Sequence, residues 1–81
     1  MGFRTIDFMT AEKMFQDIGY QLIENNDEYI SYYRKDADGM MWIEFELENK
    51  KFCVDRNDRP EWATISEFKA IQQQLKELEW I

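Results

Sequence analysis

Met40-Met41-Trp42-Ile43-Glu44-Phe45-Glu46-Leu47 alternates apolar and polar residues from Met41 onward, and Glu48 continues the alternation. In an extended chain Met41, Ile43, Phe45 and Leu47 share one side, and Trp42, Glu44, Glu46 and Glu48 share the other. A period of two is the pattern of a strand with one face on a core and one in water. That division is typical of antiparallel sheets, because parallel strands are buried on both faces.

Upstream, Glu28–Lys35 reads as a strand, with Tyr29, Ser31 and Tyr33 on one side and Ile30, Tyr32 and Arg34 on the other. The two sets are similarly apolar and leave the buried side open. Asp36-Ala37-Asp38-Gly39 is a turn, as is Asn25-Asn26-Asp27, since Asn and Asp tolerate left-handed backbone and bond their own main chain. Tyr20–Glu24 makes an earlier strand, with Tyr20 and Leu22 opposed to Ile23. Downstream, Glu48-Asn49-Lys50 turns into Lys51–Arg56, where Phe52 and Val54 oppose Cys53 and Asp55. Asn57-Asp58-Arg59-Pro60 breaks this strand, and Glu61-Trp62-Ala63 is a candidate short extended piece. Consecutive strands with short turns make an antiparallel meander.

Helices bracket the strands. Thr10 is an N-cap, and Ala11, Met14, Phe15 and Ile18 fall on one face of a helix ending at Gly19. Glu12 lies near its N-terminus, where the helix dipole favours a carboxylate. Thr64-Ile65-Ser66-Glu67 is a capping box. Ile65, Phe68, Ile71, Leu75 and Leu78 then form an apolar stripe predicted to face the core of a helix reaching about Glu79, with Trp80 and Ile81 closing over a core edge. Gly2–Phe8 fits either an extended lead-in or a tail. The expected fold is one α+β domain over 1–81. Its order is α-β-β-β(-β)-α, with both helices on one face of an antiparallel meander sheet.

The 81 residues leave no room for a second core. A 44% apolar fraction rich in aromatics argues against disorder. The charge is acidic, 17 Asp and Glu against 10 Lys and Arg, a net −7. Direct nucleic-acid binding is disfavoured, because phosphates need clustered cations. Cys53 is alone and cannot form an internal disulfide, no charged-then-apolar leader is present, and no run of about 20 apolar residues occurs. A reducing bacterial cytoplasm is the expected place, with no membrane association.

Met9-Thr10-Ala11-Glu12-Lys13-Met14-Phe15-Gln16-Asp17-Ile18-Gly19-Tyr20 resembles the opening of small proteins encoded by phages and prophages of Gram-positive bacteria. The closing run from Ile65 to Trp80 resembles their last helix. The resemblance rests on helix caps and core positions from Met9 onward. It implies a phage or prophage setting and carries no activity or site residue with it.

Chemistry-bearing motifs are missing from the sequence. With no His, Ser-His-Asp and Cys-His arrangements cannot form, and one Cys cannot build a zinc site. Asp36-x-Asp38-Gly39 starts like a calcium loop, but Gly39 arrives too early and the twelfth position is Leu47. Glu44, Glu46 and Glu48 stack about 7 Å apart on one strand face, a glycosidase-like separation without any sign of a cleft. The expectation is a non-enzyme with no cofactor and no metal. Trp42 with Glu44, Glu46 and Glu48 is the candidate protein-interaction face, an aromatic anchor with a polar rim. Its bland counterpart is a solvated face, with Arg34, Lys35, Lys51 and Arg56 on adjoining strands answering the glutamates. Two functional readings follow. One is a module binding a host or phage protein, in its sharper form an inhibitor whose acidic face occupies a basic groove. The other is a homo-oligomeric accessory domain.

Overall fold

The computed structural model describes residues 9–81. The lead-in or tail expected at positions 1–8 lies outside the described residues. The chain runs α1 (Ala11–Asp17), β1 (Gln21–Asn25), β2 (Tyr29–Asp36), β3 (Gly39–Glu46), β4 (Lys51–Arg56), β5 (Arg59–Pro60) and α2 (Ile65–Glu77). The strands form one antiparallel sheet in the order β1-β2-β3-β4-β5, an α+β meander. Arg59-Pro60 supplies the last strand, in place of the expected Glu61-Trp62-Ala63. The reason is the turn before it: Asn57 and Asp58 both take positive φ (51° and 67°), as a two-residue mirror-image hairpin turn requires. The Asn57 side chain also binds the neighbouring hairpin, accepting from the Met40 N–H (3.1 Å) and donating to the Asp38 carbonyl (3.2 Å). It lies against Gly39 at φ +125°, where a Cβ would collide with it.

Register settles the ambiguous strand. Ile30 pairs with Phe45, Tyr32 with Ile43, and Arg34 with Met41, so Ile30 and Tyr32 join Met41, Ile43 and Phe45 in the core. Phe15 of α1 stacks on the Tyr32 ring at 3.9 Å between centroids. Gln74 of α2 accepts a 2.6 Å hydrogen bond from the Tyr32 hydroxyl. Ala70 and Ile71 complete the core cluster.

Both caps form as the sequence predicts. Thr10 accepts from Lys13 N–H, and Thr64 and Glu67 make the reciprocal capping box. The stripe expected on α2 holds at Ile71, which is buried, and at Leu75 and Leu78, which pack partly buried against the core, and it is corrected at its N-terminal end. Its buried residues are Glu67, Ala70, Ile71 and Gln74, whereas Ile65 and Phe68 are exposed. Glu67 and Gln74 point inward because buried tyrosine hydroxyls need acceptors. Glu67 is only 2% exposed and receives the Tyr20 hydroxyl at 2.6 Å and the Thr64 N–H at 2.8 Å.

The arginines expected beside the glutamates sit elsewhere. Arg34 contacts Asp36 (3.2 Å) and Glu67 (3.7 Å), and its guanidinium lies 4.9 Å from the Tyr20 ring centroid. Arg56 bonds Asp36 through two nitrogens (2.8 and 3.2 Å) and Glu61 through Nε (2.8 Å). Alternation puts both on the core side of the sheet, opposite the glutamates.

Phe15→Ala should cost about 3–5 kcal/mol in urea unfolding, because it opens a cavity under Tyr32. Ile65→Ala should stay within about 0.5 kcal/mol. Equal costs for the two would overturn this packing. A second expectation concerns acid. Hydrogen bonding to Arg56, above all, holds the Asp36 carboxyl at about 2, below its ordinary 3.8. A depressed folded pKa stabilises fully above about pH 4 and is lost as pH falls toward about 2. Asp36→Asn should therefore flatten the dependence of melting temperature on pH between those limits. An unchanged slope would show that the pairing contributes nothing.

Candidate functional site

The face of the sheet opposite the core is built by the odd partners of the same ladders. Trp42 lies between Tyr33 on β2 and Asp55 on β4, Glu44 lies between Ser31 and Cys53, and Glu46 between Tyr29 and Lys51. Trp42, Glu44 and Glu46 thus share one face, as the alternation predicts. Glu48 does not extend the ladder: β3 ends at Glu46, and Glu48 stands exposed in the turn beyond it. Trp42 is half-buried rather than fully exposed, because Tyr33 leans against it with centroids 4.8 Å apart.

Other residues join this face. Glu24 arrives through a bulge between Leu22 and Glu24, which sets it opposite Ser31. Without the bulge, Glu24 would follow Leu22 to the core side, so the sequence alternation points the wrong way. Asp55 and Tyr33 are readable from alternation once the register of their neighbours is known. Tyr29, Glu44, Glu46, Lys51, Phe52 and Cys53 line an open hollow of about 410 Å³.

The face is electrostatically lopsided. The ion pairs among the described residues join Lys13 to Asp17, Arg34 to Asp36 and Glu67, and Arg56 to Asp36 and Glu61. None of them reaches Glu44, Glu46 or Asp55. Glu46 Oε2 accepts from the Asn49 amide at 3.1 Å, while its Oε1 has no partner among the described residues. Cys53 reports the resulting field. Loss of hydrating water first, then Asp55, whose carboxylate lies close and accepts from the thiol at 3.5 Å, and then the charge of Glu44, push the thiol up to about 11.

Large apolar side chains are also exposed away from β3 in the sequence. Trp62 is 90% exposed, Ile65 72% and Phe68 53%. These residues sit at the start of α2 and in the segment leading into it. Phe52, whose ring meets Phe45 at 5.7 Å on the core side of the sheet, is also 45% exposed.

Among the described residues no group of three or more His, Cys, Asp or Glu is placed to hold a metal ion, and no helix is long and apolar enough to cross a membrane. The architecture is that of a small α+β domain with a polar sheet face left open. Comparison with protein-family models, with curated proteins and with solved structures finds no match.

Alkylation of Cys53 by iodoacetamide should accelerate only as pH approaches about 11. Asp55→Asn should bring that inflection down, because it removes a like charge beside the thiolate. An inflection at the ordinary 9.0 would remove the acidic field from this face.

Proposed function

We propose that the protein is a non-enzymatic interaction module that docks the Trp42–Glu44–Glu46 face onto a basic surface of a host or phage protein. Its sharper form is an inhibitor that fills a groove built for nucleic-acid phosphates. One observation carries the reading: the carboxylates of this face are without ion-pair partners among the described residues, while the nearest arginines are committed to the opposite side. Like charges on one face, faced across the ladders by Lys51 alone, oppose compaction unless something outside supplies more counter-charge. The half-buried Trp42 and Tyr33 supply aromatic area in the middle of the same face. The phage or prophage setting rests on the resemblance of the opening and closing helices.

A second reading is kept by a separate observation. Trp62, Ile65 and Phe68 expose enough apolar surface for self-association. In that case the protein is a homo-oligomeric accessory domain, and the acidic face only keeps it soluble.

The test is capture from a Gram-positive host lysate at low and high salt, with the Glu44/Glu46/Glu48→Gln variant alongside. Docking through the acidic face predicts a nucleic-acid-handling protein held at low salt, released when the Debye length shrinks from about 30 to about 3 Å, and not held by the variant. Equal capture by the variant, or a dimeric mass that Phe68→Glu returns to monomer with no partner captured, would transfer the function to the apolar surface.

A further inference from the structure

The hollow on the open sheet face has a chemistry more specific than negative charge. Its lining combines Tyr29 and Phe52 with Glu44, Glu46, Lys51 and Cys53. The ladders place Tyr29 directly across from Glu46, and Glu44 one alternation further along β3, about 7 Å away. Lys51 stands across from Glu46 on β4 and makes no ion pair of 4.0 Å or less with it among the described residues. Glu46 Oε1 is unpaired, and Glu44 takes part in no ion pair among the described residues. Glu46 Oε1 is itself buried and Oε2 is taken by Asn49, so Glu44 is the carboxylate open to a ligand, and an aromatic ring beside such a carboxylate suits a flat cation better than a compact one. A guanidinium stacks on the ring and forks to a carboxylate in the same pose, whereas an ammonium is a strongly hydrated point charge.

We infer that this hollow seats an arginine side chain of the protein partner, with its guanidinium against Tyr29 and its fork directed at Glu44. The inference rests on the docking reading above and narrows it, since a basic groove becomes one that presents an arginine. Lys51 lines the same hollow opposite Glu46, so like-charge repulsion confines the guanidinium to the Tyr29–Glu44 side. Trp42, next along β3 from Glu44, continues the aromatic surface toward Tyr33.

The experiment uses the full chain, labelled with ¹⁵N, and three blocked peptides: Gly-Arg-Gly-Arg-Gly, its lysine counterpart and its citrulline counterpart. The arginine peptide should shift the amides of Tyr29, Glu44 and Cys53, and bind about fivefold tighter than the lysine peptide, the size of one cation–π contact. The citrulline peptide, which keeps the shape and loses the charge, should not bind. Bound guanidinium should also speed Cys53 alkylation at fixed pH, because it lowers the cost of the neighbouring thiolate. Glu44→Gln should abolish the preference for arginine while its spectrum stays folded. Tyr29→Leu should reduce the preference and leave salt-dependent attraction in place. Equal binding of the arginine and lysine peptides, with shifts spread over the sheet and unaffected by Tyr29→Leu, overturns the arginine seat while the acidic face survives as a docking surface. Absence of binding by every peptide, with lysate capture still lost in the Glu→Gln variant, overturns the seat alone. Loss of both results overturns the seat and the docking reading together.

Discussion

Tyr32 is where the structure is held together. Its ring is 2% exposed, lies flat under Phe15, and hands its hydroxyl to Gln74. A tyrosine buried to this depth supplies a large apolar contact and imposes one polar demand. α1 meets the contact and α2 meets the demand, so one side chain fixes both helices against the sheet. Tyr20 repeats the arrangement beside it, with its hydroxyl on Glu67 and its ring edge-on to Phe15 at 5.7 Å. Charge-assisted acceptance of a hydroxyl, as by Glu67, is among the stronger hydrogen bonds a core can hold. Burial and the neighbouring carboxylate accordingly push the Tyr20 hydroxyl well above its ordinary pKa.

These demands explain what remains outside. A helix has one side to give to a core. Because α2 must present Glu67 and Gln74 to two tyrosines, its buried face is turned away from Ile65 and Phe68. The exposed apolar patch at the start of α2 is thus a consequence of polar matching inside. The arginines follow the same logic. Arg34 reaches toward buried Glu67, and Arg56 closes a network through Asp36 and Glu61. Cations spent there cannot answer the carboxylates across the sheet.

The parts of the fold that could be read in the sequence were those with local causes. Thr10 and Thr64 cap because a hydroxyl meets an orphan N–H three residues on. The period of two at Met41–Glu46 holds because one side of β3 is buried. What could not be read depended on partners far along the chain. The stripe of α2 was right at Ile71, Leu75 and Leu78 and wrong at Ile65 and Phe68, because Glu67 and Gln74 look like surface residues until Tyr20 and Tyr32 are placed beside them. Ile30 and Tyr32 could not be told from Tyr29 and Tyr33 without the register that β3 imposes. Within the candidate site, Trp42, Glu44 and Glu46 were legible from alternation. Glu24 was hidden by a bulge that no local residue announces, and Glu48 was lost to the turn that ends β3 early.

On the open face, cross-strand neutralisation is sparse. Cross-strand neighbours usually neutralise charge on an exposed sheet, and here the register gives Glu44 a serine and a cysteine instead. Only Glu46 faces a lysine. Ser31 is 2% exposed although it stands on this side, because its hydroxyl is turned to Glu24 across the β1 ladder at 3.5 Å. The same interior pairing that stabilises the fold thus draws Arg34 and Arg56 to the core side and leaves Glu44 without an ion pair among the described residues.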